Sequence, residues 1–137
     1  MNKKFLLTIF LAGLILIIGA NLWGVCYYFG VITFPCALLS TFFALFIFDK
    51  MWKLEKKTYI IIGTSSIILN LLAWLHSTLL IIMSSIKCTY LQSFKLFGEV
   101  TRGLITEVII TNLISMAVTI AVIFIYKYVK DKKVNIG

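Results

Sequence analysis

The sequence predicts an all-α integral membrane protein with four transmembrane helices and both termini in the cytoplasm. Hydrophobic residues make up 61% of the 137-residue chain and charged residues only 13%, with a mean hydropathy of +1.06. Soluble domains average about 25% charged residues. Long apolar runs occupy most of the chain, and lysines are concentrated on one side of them. At this length we expect a single transmembrane domain over residues 1–137.

Four apolar runs reach or approach the length that crosses a bilayer. They cover residues 5–29, 31–48, 59–86 and 103–126. About 20 residues are needed to cross about 30 Å of hydrocarbon. The first run is too long for the hydrophobic region of a signal peptide, so we interpret it as an uncleaved helix. Between the last two runs, aromatic and charged residues alternate, which indicates a short interfacial helix at 90–101.

The basic residues give the orientation. Ten of them lie before the first run, between the second and third, or after the fourth: Lys3, Lys4, Lys50, Lys53, Lys56, Lys57, Lys127, Lys130, Lys132 and Lys133. The other side has only Lys87, Lys95 and Arg102. The positive-inside rule then places both termini in the cytoplasm of a multi-pass inner or plasma membrane protein. The net charge of +8 fits a lipid bilayer as the partner, and we expect no nucleic acid.

Polar residues inside the third run lie on one helix face. Small or polar residues recur there at steps of three and four: Gly63, Ser66, Asn70, Ala73, Ser77 and Ser84. Such a face allows another helix to approach closely, so packing is the favoured interpretation. The alternative is that Asn70 also faces a solute. His76 points away from this face, and a hydrogen-bonded or interfacial histidine is favoured over a proton relay.

The first and fourth runs add further candidates. Asn21 must find a hydrogen-bond partner on a neighbouring helix or a ligand. Glu107 is the only carboxylate expected at membrane depth, and it either reaches headgroup water or faces a cation or substrate. Asn112 lies beside a polar stripe formed by Thr111, Ser115 and Thr119.

Motifs for enzyme chemistry are not found in the sequence. The three cysteines, 26, 36 and 88, form no C-x-x-C pair, although Cys26 and Cys36 flank a short turn and are able to pair. A single histidine without clustered carboxylates argues against a metal site. We therefore expect no enzyme activity, no cofactor and no metal.

Three segments resemble a known family. They are Ala20-Asn21-Leu22, then Gly30-Val31-Ile32-Thr33-Phe34-Pro35, and later Phe94-Lys95-Leu96-Phe97-Gly98 followed by Arg102. Over residues 20–130 the chain resembles the VUT family of queuosine-precursor transporters. The resemblance implies that Asn21 and Arg102 contribute to a deazapurine pocket. Family members have about six spans, so a four-span chain implies a homo-oligomer or a partner subunit.

The expected function is therefore that of a small-solute, queuosine-precursor-like transporter or transporter subunit. The candidate substrate-binding residues are Asn21, Asn70, Arg102, Glu107 and Asn112. Two alternatives remain open. Small, lysine-rich, multi-span proteins also serve as immunity proteins against pore-forming bacteriocins. The face of the third run would equally suit an accessory subunit of a larger membrane complex.

Overall fold

In the part of the chain that the structure describes, every regular secondary-structure element is a helix. The computed structural model describes residues 2–103 and 105–136, except for the side chains of Phe34, Ile105, Glu107, Val108 and residues 134–136. Five helices follow one another: α1 (Lys3–Tyr28), α2 (Phe34–Met51), α3 (Lys56–Ile86), α4 (Tyr90–Gly103) and α5 (Ile105–Ile136). The all-helical prediction is confirmed.

Three of the helices are long and apolar enough to cross a membrane. They are α1, α3 and the Ile109–Lys133 part of α5. α2 has 18 residues, which rise about 27 Å, and it is not among the three. α4 is short and amphipathic and occupies the region where an interfacial helix is predicted. α5 continues past residue 126, because no glycine or proline interrupts its basic end and lysines favour a helix C-terminus.

Local features account for the helix ends. The side chain of Asn2 accepts a hydrogen bond from the Lys4 amide at 3.0 Å and so caps α1. After α1 the chain turns at Gly30, whose φ of +68° suits glycine. Pro35 lies in the first turn of α2, where it removes no helical hydrogen bond. Lys87 ends α3 in the left-handed conformation.

The helices pack around α1, α2 and α3, with α5 against α2 and α3 and with α4 against α3. Lys4, Lys50, Lys53 and Lys130 line one cavity, which we call the lysine-rich end. α1 and α3 begin at this end, whereas α2 and α5 finish there, so α2 and α5 run in the same direction.

Near the lysine-rich end the core is apolar. Its buried members come from α1, α2, α3 and the connection before α3: Ala12, Leu16, Ala44, Leu45, Phe48, Leu54, Tyr59 and Ile62. Farther from this end, α1 and α2 approach closely where Gly19 faces Ser40. Large apolar side chains such as Phe124 (68% exposed) and Ile61 (64%) lie on the outer surface. Such a surface suits contact with lipid rather than with water.

Candidate functional site

Three hydrogen bonds tie polar side chains of different helices together inside the protein. Trp23 Nε1 on α1 donates to Ser115 Oγ on α5 at 2.9 Å. Thr41 Oγ1 on α2 and Ser66 Oγ on α3 lie 2.9 Å apart. These pairs are almost fully buried. Hydrogen bonds of this kind join helices in an apolar environment, so these side chains have a packing role.

The third bond lies on the polar face of α3. Ser77 Oγ donates to the Gly24 carbonyl of α1 at 2.9 Å. The same face places Gly63 against Ile123 of α5. One small and polar face therefore contacts α1, α2 and α5 at three different heights.

Two buried donors on α3 remain without a partner. Asn70 is only 4% exposed, and neither its Nδ2 nor the Nε1 of Trp74 has a hydrogen-bond partner among the described residues. The two residues are four apart, so they lie on one side of the helix. Burying an unpaired donor costs about 1–3 kcal/mol. Acceptor atoms of a bound molecule would remove this cost.

Trp74 also contacts α4. Its ring meets that of Phe97 edge-on, with 5.7 Å between the centroids. α4 therefore packs its aromatic face over the part of α3 that carries the unpaired donors. The sequence reasoning missed Trp74, because an aromatic residue in a span is normally interpreted as packing. Only the placement of its indole nitrogen distinguishes it.

The other predicted site residues occupy separate places. Asn21 is exposed, donates to the Ile17 carbonyl of its own helix at 2.8 Å, and lines a 330 Å³ groove between α1 and α3. Arg102 is exposed at the end of α4, and Asn112 is half-buried on α5. The side chain of Glu107 lies outside the described residues. Among the described side chains that line the groove containing Asn21, Asn70 is not found.

His76 is hydrogen-bonded to α4. Its Nδ1 lies 2.9 Å from the Tyr90 hydroxyl, and both residues are exposed. His76 also lines the groove that contains Asn21. The hydrogen-bonded interpretation of this histidine therefore has a specific partner in the structure.

An ion pair at the lysine-rich end was not predicted. Asp49 of α2 contacts Lys130 Nζ of α5 and accepts a hydrogen bond from the Tyr126 hydroxyl at 3.3 Å. These groups line a 520 Å³ groove between the two helices. The signal in the sequence was a single carboxylate among lysines at the end of an apolar run.

The cysteines and possible metal ligands complete the chemical inventory. Cys26, Cys36 and Cys88 are free thiols, and the Sγ atoms of Cys26 and Cys36 lie 3.8 Å apart across the α1–α2 turn. In the described part of the chain, no three His, Cys, Asp or Glu side chains lie close enough together to hold a metal ion.

Comparisons of the chain with protein-family models, with curated proteins and with solved structures find no match.

Proposed function

We propose that this chain is a multi-pass protein of a bacterial inner membrane in which α1, α2, α3 and α5 all cross the bilayer. Both termini would lie in the cytoplasm. The support is the concentration of lysines at the end where α1 and α3 begin and where α2 and α5 finish. α4 would then lie at the opposite interface, which is a common position for an amphipathic helix.

We further propose that the protein takes part in moving a small solute across this membrane. The observation that carries the proposal is the pair of unpaired donors on α3, Asn70 Nδ2 and Trp74 Nε1. A polar group buried in a membrane protein without a partner is costly and marks a functional position. One turn of helix separates the two donors by a rise of about 6 Å.

The solute class follows from these donors. A planar heterocycle with acceptor atoms on its ring or its carbonyl groups would pair with both N–H groups. A queuosine precursor, a 7-deazapurine, has this chemistry and agrees with the family resemblance. A bundle of this size encloses little space, so a homo-oligomer or a partner subunit would complete the pathway.

The test is uptake of labelled 7-deazapurine precursor by cells that lack their own transporter, with queuosine in tRNA as the readout. Asn70→Leu removes the unpaired donor. We expect this variant to lose uptake while its thermal stability in detergent stays equal or rises, because an unsatisfied buried group is replaced by an apolar one. Ser84→Ala is the matched control on the same helix, since Ser84 is exposed and bonds only to the Ile81 carbonyl. Normal uptake by Asn70→Leu would contradict the proposed site.

Two further variants distinguish the site residues that the family resemblance implies from those that the unpaired donors indicate. Loss of uptake in Arg102→Ala or Asn21→Leu, with Asn70→Leu still active, would move the site to the residues that the resemblance implies. Arg102 and Asn21 are both exposed, so these changes should leave expression intact.

A second candidate function is recognition of another membrane protein. The observation in its favour is that the polar side-chain atoms of Trp23, Thr41 and Ser77 form hydrogen bonds between helices. These atoms are therefore not available to bind a solute. An immunity protein against a pore-forming bacteriocin or an accessory subunit would need only such a rigid bundle. Survival of toxin-treated cells, together with no rescue of queuosine by a well-inserted protein, would favour immunity over transport.

A further inference from the structure

The groove between α2 and α5 is charged at one end and apolar along the rest of its length. Its volume is 520 Å³. The charged end is formed by Asp49, Lys50, Tyr126, Lys130 and Lys133. The apolar length is formed by Leu38, Phe42, Phe46, Val122, Ile125 and Val129.

Among the described residues that line the charged end, the one carboxylate is already paired, so this end is positive. Asp49 is paired with Lys130 and accepts from the Tyr126 hydroxyl. Lys50 lies over the Phe46 ring, 5.7 Å from its centroid, and this cation–π contact holds the ammonium group at the groove. Lys50 and Lys133 therefore keep their charge for another partner.

A neighbouring cavity extends this positive region. It has a volume of 490 Å³ and shares Asp49, Lys50 and Lys130 with the groove. It adds Lys4 and Lys53. Lysines from α1, α2, α5 and the α2–α3 connection therefore make this end of the protein positive.

The whole groove, including its charged end, is about as long as one leaflet of a bilayer is thick. α2 and α5 run in the same direction, and the groove follows α2 from Leu38 to Asp49 and α5 from Val122 to Lys133. At 1.5 Å per residue, each stretch rises about 17 Å. Half of a hydrocarbon core of about 30 Å is about 15 Å. An acyl chain lying along this wall would therefore bring its headgroup phosphate to the level of Lys50 and Lys133.

We propose that the groove binds an anionic phospholipid of the leaflet at the lysine-rich end. The phosphate contacts Lys50 and Lys133, and one acyl chain lies on the apolar wall. A free phosphate would use only the charged end and would leave this wall unexplained. The proposal requires that α2 and α5 lie in the bilayer as described, but it does not require transport.

The experiment is native mass spectrometry of the full chain in detergent, with equal amounts of phosphatidylglycerol and phosphatidylcholine that have the same acyl chains. We expect retention of phosphatidylglycerol to exceed that of phosphatidylcholine. In the double variant Lys50→Gln/Lys133→Gln, apparent affinity for phosphatidylglycerol should fall about twenty-five-fold, which is about five-fold for each lysine near the headgroup. The control is Lys87→Gln/Lys95→Gln, which removes the same charge at the opposite end and should change nothing.

Two further arms separate the lipid from a simple anion. Ile125→Trp places a larger side chain on the apolar wall at a position that is 62% exposed, so the fold should tolerate it while phosphatidylglycerol retention drops. Soluble glycerol phosphate should not displace the lipid. Equal retention of both lipids, an unaffected double variant, or displacement by glycerol phosphate would each overturn the proposal. Uptake assays are independent of all these outcomes.

Discussion

The close approach of α1 and α2 gives the sharpest test of the packing. Gly19→Ala adds a methyl group that would overlap the Cβ of Ser40 and lie 2.7 Å from its Oγ and 3.5 Å from its Cα. A Cβ is fixed to its backbone and does not move aside as the tip of a long side chain would. The two helices must therefore separate, and overpacking of this kind costs about 1–3 kcal/mol.

A matched control isolates the free-energy cost of overpacking. Gly13 lies on the same helix, and a methyl group added there would have no neighbour within 4 Å. Gly13→Ala carries the same change in helix propensity, up to about 1 kcal/mol in favour of alanine. The difference in unfolding free energy between Gly19→Ala and Gly13→Ala should therefore equal the overpacking cost alone.

The assay is reversible unfolding by sodium dodecyl sulfate in detergent micelles, which yields the free energy of unfolding for each variant. Ser40→Gly removes the clashing atoms, so the double variant Gly19→Ala/Ser40→Gly should recover about 1–3 kcal/mol relative to the sum of the single changes. Equal stabilities for Gly19→Ala and Gly13→Ala, with no coupling to Ser40, would refute the contact between α1 and α2 at this point.

The remaining predictions concern the α1–α2 turn and the topology. A mild thiol oxidant should link Cys26 to Cys36 within one chain, because their Sγ atoms lie 3.8 Å apart. A mass decrease of the intact, unalkylated chain reports the bond. In the control, Cys88, which is also a free thiol, is replaced by serine. Persistent free thiols would mean that the two helix ends are farther apart. A reporter fused after Lys133 should be active only in the cytoplasm; a periplasmic signal there would mean an odd number of spans.

The helices were predictable because their cause is local. Long apolar runs in a chain rich in isoleucine and leucine specify helices in a bilayer whatever their neighbours are. The polar face of α3 was also predictable, since it depends only on spacing along one helix. Its partners were not: Ser66 bonds to α2, Ser77 to α1, and Gly63 meets α5. Which helix meets which depends on the whole arrangement.

The candidate site was less accessible to sequence reasoning for the same reason. Asn70 was identified because it lies on the small and polar face of α3. Whether it has a hydrogen-bond partner depends on atoms from other helices. Trp74 and the pair of Asp49 with Lys130 were missed, because an indole nitrogen without a partner or a carboxylate between two helices has no signature along the chain. Asn21 was expected to bond to a neighbouring helix or to a ligand, yet its side chain donates to the Ile17 carbonyl of α1 itself.

The short connection between α1 and α2 has a consequence for biosynthesis. In the four-span arrangement proposed above, α2 is brief and ends in Asp49 and Lys50, so alone it would partition into lipid poorly. Only residues 29–33 separate it from α1, which is strongly apolar, and Gly19 allows the two to lie side by side. The translocation machinery would therefore release them into the bilayer together as one hairpin, and deleting α1 would leave α2 stranded at the membrane surface.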